Sequence, residues 1–159
     1  MQKQASDLSE ILREKGLSLV TAESCTGGMI AAAMTDLAGS SEVFERGFIT
    51  YSNASKTSLL DVPTVTIAQH GAVSSAAAEA MALGALGNSA ADVAVSVTGI
   101  AGPGGGTKDK PVGLVWFGFA GRTLNESPVS KHMIFDGDRG QIREQAVAFA
   151  LQSLIDLLS

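Results

Sequence analysis

The stretch Thr21-Ala22-Glu23-Ser24-Cys25-Thr26-Gly27-Gly28 separates an apolar run, Leu17-Ser18-Leu19-Val20, from an alanine-rich one, Met29-Ile30-Ala31-Ala32-Ala33-Met34. The first run reads as a strand and the second as a helix, so small polar groups and two glycines occupy a strand-to-helix joint. At such a joint the first N–H groups of the helix lack intrahelical acceptors, and the helix dipole favours negative charge. Ser24 and Thr26 therefore either cap a helix or face a group that is anionic or becomes so.

Outward from this joint, strands and helices alternate. Upstream, Leu8, Ile11, Leu12 and Lys15 share one helical stripe, which Gly16 is placed to end. Residues 17–22 read as a strand and 26–37 as a helix closing near Gly39. A strand follows over 44–51, then a short helix over 53–60, capped by Asn53 and stopped before Pro63. A capped, alanine-rich helix spans 74–86. Strands are predicted over 91–97, 112–120 and 131–135, and an amphipathic helix over 139–158. A polar loop containing Gly, Asn and Pro joins the last two strands, which suggests an antiparallel pair within an otherwise parallel sheet. The expected class is α/β, with helices on both faces of a mixed, mostly parallel sheet.

Composition narrows the function. The 159 residues, 45% hydrophobic and 17% charged, suffice for one well-buried core, and a single domain over 1–159 is expected. No apolar run reaches the roughly 18 to 20 residues of a membrane span, and the first residues lack a signal-peptide pattern. A cytoplasmic protein without membrane contact is the expectation. One cysteine and two histidines offer neither a disulfide framework nor a metal-ligand spacing, so no metal or other cofactor is expected. A net charge of −5 without a Lys/Arg cluster argues against nucleic acid as a partner.

A second glycine-rich segment, residues 99–107, follows the strand that ends at Thr98. Its glycines permit a tight turn and close approach of backbone to a ligand. The specific phosphate-binding signatures are absent: Thr107 separates the glycines from Lys108, and no G-x-G-x-x-G opens a helix. Both this loop and the joint at 21–28 leave carboxyl ends of strands, where ligands gather in open α/β sheets.

Five motifs in order, TAESCTGG (21–28), GSSEVFERGFITYSNASK (39–56), QHGAVS (69–74), VSVTGIAGPGGGTKDKPVGLVWFGFA (95–120) and FDGDRGQIREQA (135–146), resemble the C-terminal domain of the CinA family, the nicotinamide mononucleotide deamidases. The resemblance covers nearly the whole chain. It implies a three-layer α/β/α fold and an amidohydrolase that converts the carboxamide of nicotinamide mononucleotide to the acid, releasing ammonia without a metal. In many relatives this domain follows a larger one related to molybdopterin-binding proteins, whose activity does not carry over. A small-molecule nucleotide is thus the expected partner, and a homo-oligomer the expected assembly. Two other readings are a nucleotide-binding module of the same fold without chemistry, and a competence-related interaction suggested only by the family's name.

Amide hydrolysis needs a nucleophile, a base, donors for the tetrahedral oxyanion and an acid for the departing ammonia. No G-x-S-x-G elbow is present. A serine triad would have to recruit His70, which looks like a helix end, or His132, in a strand; both read more naturally as structural. Lysine is another base, because partial desolvation of Lys56 would lower its pKa and free a lone pair. The resemblance implies Ser24 as nucleophile and Lys56 as base, with Tyr51 orienting the lysine or relaying the proton. Cys25 is the rival nucleophile at a helix N-terminus. Adjacent residues at a strand end point in different directions, so only one of the pair faces the site. Glu23 either supports the turn or contacts the ribose.

The implied substrate carries a phosphate, for which an acidic chain must supply local positive charge. Arg139 opens the last helix, where its guanidinium and free N–H groups can bind phosphate jointly; the plain alternative is a surface arginine on a helix capped by Asp138. Ser41 and Thr98 match family positions lining the pocket. Gly102 of the glycine-rich loop belongs with the substrate contacts, and the backbone N–H groups of Thr26, Gly27 and Gly28 are candidates for the oxyanion.

Overall fold

In the computed structural model, which describes residues 1–122, 124 and 127–159, the first helix is set by its apolar stripe. Helix α1 (Gln2–Lys15) buries Ala5, Leu8 and Leu12, and Gly16 ends it in the left-handed conformation at φ 65°. Strand β1 (Leu19–Glu23) is buried on both faces throughout, as befits the centre of a sheet covered on both sides. Helix α2 (Met29–Thr35), a 3-10 turn (Ser40–Glu42) and strand β2 (Phe44–Ile49) follow. Helices α3 (Asn53–Leu60), α4 (Thr64–His70) and α5 (Ser75–Gly87) then lead to strand β3 (Val93–Gly99). Strands β4 (Leu114–Gly121) and β5 (Val129–Ile134) precede the long helix α6 (Arg139–Leu158).

The five strands lie in the order β2-β1-β3-β4-β5. Strand β1 pairs parallel with both β2 and β3, while β4 is antiparallel to β3 and to β5. Four strands thus run one way and β4 alone runs the other, the mixed sheet expected from the sequence. Between β1 and β3 the chain's direction of travel across the sheet reverses, because β1 leads outward to β2 and β3 leads outward to β4. The carboxyl ends of these two strands flank a topological switch point, the place where α/β sheets open a ligand crevice.

Helices cover both faces. On one, Leu8, Leu12, Val95, Val97, Phe117, Phe119, Ile142 and Leu151 form the larger apolar core beneath α1, α2 and α6. On the other, Val20, Ala22, Ala94 and Ala120 meet Met81, Ala82 and Ala85 of α5. Small residues let α5 approach the sheet closely: a Cβ on Gly118 would stand 2.2 Å from the Ala78 carbonyl oxygen, to which the Ser96 hydroxyl donates. Gly84 is tighter still against the last turn of α3, with a virtual Cβ 1.7 Å from the Leu60 carbonyl oxygen.

Three details differ from the sequence reading. Helix α3 is capped by Ser52, whose hydroxyl accepts from Ser55 N–H, rather than by Asn53. Helix α3 stops before Pro63 as expected, but Pro63 also serves as the N-cap residue of α4, an element the strand-and-helix pattern did not include. Proline is tolerated there because that N–H would lack an intrahelical partner anyway. Helix α2 begins at Met29 rather than Thr26, so residues 24–28 form a separate turn. Of the polar loop predicted between β4 and β5, residues 123, 125 and 126 lie outside the described residues. Gly84→Ala is expected to lower stability by about 1–3 kcal/mol through overpacking against α3, measured as a shift in the urea midpoint; an unchanged midpoint would show that α3 moves aside freely.

Candidate active site

The carboxyl end of β1 delivers Ser24. Its N–H donates to the Val97 carbonyl at 2.9 Å, prolonging the β1–β3 ladder by one bond, and its own carbonyl accepts from Gly27 N–H at 3.1 Å. The residue is thus fixed from both sides while its hydroxyl faces a cavity of about 170 Å³. That cavity is lined by Ser24, Cys25, Tyr51, Asn53, Lys56, Ala72, Val73, Thr98, Gly99, Ala101 and Arg139.

Lys56 is 1% exposed, rare for a lysine, and enters from α3 on the far side of the turn. Its Nζ lies 3.0 Å from Ser24 Oγ, 2.8 Å from the Thr50 carbonyl oxygen and 3.4 Å from that of Tyr51. Among the described residues no carboxylate pairs with it. Burial, the dominant influence, pushes its pKa below the ordinary lysine value. Each of the three oxygens can accept one N–H of an ammonium; in the neutral amine two N–H groups serve the carbonyls and the lone pair is left to accept from the Ser24 hydroxyl.

Glu23, 1% exposed, turns away from the cavity. Its Oε1 accepts from Thr26 Oγ1 at 2.7 Å and Ile30 N–H at 2.8 Å, and its Oε2 accepts from Ala31 N–H at 3.1 Å. A buried carboxylate thereby caps α2 from the preceding strand, where the dipole favours it. Of the two roles open for Glu23 in the sequence, the geometry is that of turn support.

Cys25 shares the cavity wall but is buried, and burial pushes its thiol up to about 11. A thiol so disposed is protonated near neutrality and a poor nucleophile. Tyr51 is exposed; only its carbonyl touches Lys56, while its hydroxyl accepts from Arg139 Nη2 at 3.1 Å. Arg139 also donates through Nη1 to the Gly102 carbonyl at 2.8 Å, which holds the guanidinium at the mouth of the cavity. Thr98 donates its hydroxyl to the Ala72 carbonyl at 2.8 Å, fixing a wall formed by Ala72 and Val73.

The structure therefore brings Ser24, Lys56, Tyr51, Thr98 and Arg139 together, whereas Thr26, Gly27, Gly28, Ser41 and Gly102 do not line the cavity. Thr26 is fully buried, its hydroxyl committed to Glu23. Gly27 N–H is committed to Ser24, and Gly28 lies under Ile49. Ser41 is exposed in the turn before β2, at the opposite end of that strand from Thr50. Gly102 acts through Arg139. Gly99 opens the glycine-rich segment already marked for close approach to a ligand, whereas Asn53, Ala72 and Val73 lie in the resembling motifs without being singled out as site residues. Arg143 was also missed: from α6 its Nε donates to the Cys25 carbonyl at 3.0 Å. Two arginines in the first two turns of a helix, where the dipole disfavours cations, were the signal available for it.

Among the described residues no cluster of three or more His, Cys, Asp or Glu side chains is placed to hold an ion. Comparison with known proteins agrees with the motif reading. A nicotinamide-nucleotide amidohydrolase, PncC, of Escherichia coli K12 is 50% identical over 150 residues, covering 94% of this chain and 90% of that protein. A putative competence-damage inducible protein of Caldicellulosiruptor bescii is 52% identical over 144 residues, covering 91% of this chain but 34% of the longer relative. The crystal structure of the competence/damage inducible protein CihA from Agrobacterium tumefaciens superposes with a TM-score of 0.95 at 46% identity, covering 99% of this chain and 95% of that one. Residues 1–158 match the CinA C-terminal domain, and the chain belongs to that family.

Proposed function

We propose that this protein hydrolyses the carboxamide of nicotinamide mononucleotide, with Ser24 as nucleophile and Lys56 as general base. The observation that carries the reading is the buried Lys56 Nζ, 3.0 Å from Ser24 Oγ and without a carboxylate partner among the described residues. A lysine paired with an acid would stay protonated and hold no lone pair for a serine proton; a desolvated one can. The substrate follows from the family and from the PncC relative, half of whose aligned residues are identical to those here.

In this mechanism Ser24 Oγ attacks the carboxamide carbon as its proton passes to Lys56 Nζ. The carbonyl oxygen becomes an oxyanion. Cys25 follows Ser24 and lines the cavity, and among the described residues its N–H has no backbone acceptor, so it is the donor best placed to receive it; Thr26 is fully buried outside the cavity. This modifies the expectation from sequence: Gly27 is excluded because its N–H closes the turn. Collapse of the intermediate breaks the C–N bond, and the Lys56 ammonium returns its proton to the leaving ammonia. Water, deprotonated by the same amine, then attacks the Ser24 ester and releases the acid.

A cavity of about 170 Å³ is below the roughly 300 Å³ at which small-molecule pockets usually begin. It suits the pyridinium carboxamide and leaves the phosphate at the mouth, beside Arg139. Tyr51, hydrogen-bonded there to Arg139, is assigned to the mouth rather than to proton relay.

Ser24→Ala and Lys56→Ala are each expected to lower turnover by several orders of magnitude, with the double variant little worse than either single one, because the two groups act as a unit. Cys25→Ala is expected to retain most activity; a dead Cys25→Ala beside an active Ser24→Ala would reverse the assignment. Release of ammonia from nicotinamide mononucleotide measures both, and it is expected to persist in excess chelator.

The lowered Lys56 pKa fixes the sign of two pH effects. Turnover falls as pH drops through that pKa, since only the neutral amine accepts a proton. For stability, the unfolded chain binds more protons than the folded one between the folded and the ordinary lysine pKa, so stability rises with pH over that window. Lys56→Met lacks this group, and its stability relative to the native chain is expected to decline as pH rises through the window. A pH-independent difference in chemical denaturation would contradict it.

A further inference from the structure

Two cavities lie side by side at one end of the sheet, and Val73 lines both. One is the catalytic cavity of about 170 Å³, the other a larger space of about 360 Å³. The register between β3 and β4 places them: Thr98, on the wall of the first, stands directly opposite Trp116, on the wall of the second. Directly opposed residues of an antiparallel pair project to the same face of the sheet. That face is the one α5 covers, since the Ser96 and Thr98 hydroxyls donate to the carbonyls of Ala78 in α5 and of Ala72 just before it. Val73 therefore stands at the boundary between the two spaces.

The segment that carries Val73 is a fixed wall rather than a free loop. On one flank the Thr98 hydroxyl donates to the Ala72 carbonyl at 2.8 Å. On the other, Ser74 Oγ donates to the Gly71 carbonyl at 2.8 Å and accepts from Ala77 N–H at 3.1 Å, which ties the segment to the first turn of α5. Lys110 Nζ donates to the His70 carbonyl at 2.7 Å and fills the space beside Gly71, where a Cβ would stand 2.8 Å from the amine. With both neighbours held, the β-branched side chain of Val73 has little freedom to swing aside.

In the proposed reaction Ser24 and Lys56 take the carboxamide, which leaves the apolar lining, Ala72, Val73 and Ala101, to meet the ring. Beyond Val73 the second cavity presents Trp116, whose ring centroid lies 4.5 Å from that of His132. A cationic aromatic ring is attracted to the face of a tryptophan, yet nothing in the proposed chemistry uses that space. We propose that Val73 is a specificity-determining residue: it limits the catalytic cavity to a single pyridinium ring by partitioning it from a second cavity with room for a fused one. The proposal rests on the amidohydrolase reading above.

The test sets the mononucleotide of quinoline-3-carboxamide, which carries a fused benzene ring on the edge opposite the carboxamide, beside nicotinamide mononucleotide. Ammonia release gives kcat/KM for each. Trp116, the chain's one tryptophan, reports arrival of the larger ring in the second cavity through quenching of its fluorescence. A single methylene in an apolar pocket discriminates between substrates by about 10- to 200-fold. In Val73→Ala the ratio of kcat/KM for the quinoline nucleotide over the nicotinamide one is expected to rise by a factor of that order, with saturable quenching that the native protein does not show. Val73→Ile, one methyl larger, should move the ratio the other way. An unchanged ratio in Val73→Ala would overturn the proposal, as would a raised ratio without quenching, or equal use of both nucleotides by the native protein. If the native protein releases no ammonia from nicotinamide mononucleotide, the amidohydrolase reading falls; quenching confined to Val73→Ala would still support the partition, and its absence there would reject it.

Discussion

The contact between Lys56 Nζ and Ser24 Oγ is the constraint to which the rest of the fold answers. A lysine gives up nearly all its hydration to reach this position, at 1% exposure, and without a carboxylate among the described residues it is not compensated as an ion pair. The carbonyls of Thr50 and Tyr51 provide two acceptors, and Ser24 completes the set. Holding that arrangement needs two elements from opposite sides to be fixed: α3, which carries the lysine, and the turn after β1, which carries the serine. Close packing of Gly84 against Leu60 fixes the first, and Glu23, Arg143 and the Val97 carbonyl fix the second.

The sheet explains why these parts meet. Strands β1, β2, β3 and β5 end on the same side, so Ser24, Thr50, Thr98 and the entry to α6 converge although they are far apart in sequence. The crevice opens between β1 and β3, where the path across the sheet reverses. Ser41 shows the converse, for it precedes β2 and so lies at that strand's other end. Its match to a pocket position in the family has no counterpart within the single chain.

Much of the architecture was legible because it is written in local patterns. The apolar stripe of α1 and its closing Gly16, the strand-to-helix joint at 21–28, and the antiparallel pairing of β4 and β5 need only periodicity and turn chemistry. Helix α4 was not legible, since Pro63 reads equally as the end of one helix and the cap of the next. In the site, Ser24 and Lys56 were marked out by motif resemblance. Glu23 and Arg143 differ in kind. Apart from the Thr26 hydroxyl, Glu23 holds backbone N–H groups seven and eight residues away, and Arg143 reaches across 118 positions to the Cys25 carbonyl. Backbone carbonyls are present everywhere, so no residue spacing announces which one a side chain will hold.

The state of the Lys56 amine is the point on which the account stands. A heteronuclear NMR titration of the Lys56 side chain, assigned through Lys56→Arg, reads its pKa directly. The account predicts a value below that of the exposed lysines, with the neutral amine present before they begin to titrate. An ordinary or raised pKa would mean that the ammonium is the resting form throughout the neutral range, and that Lys56 positions Ser24 without deprotonating it.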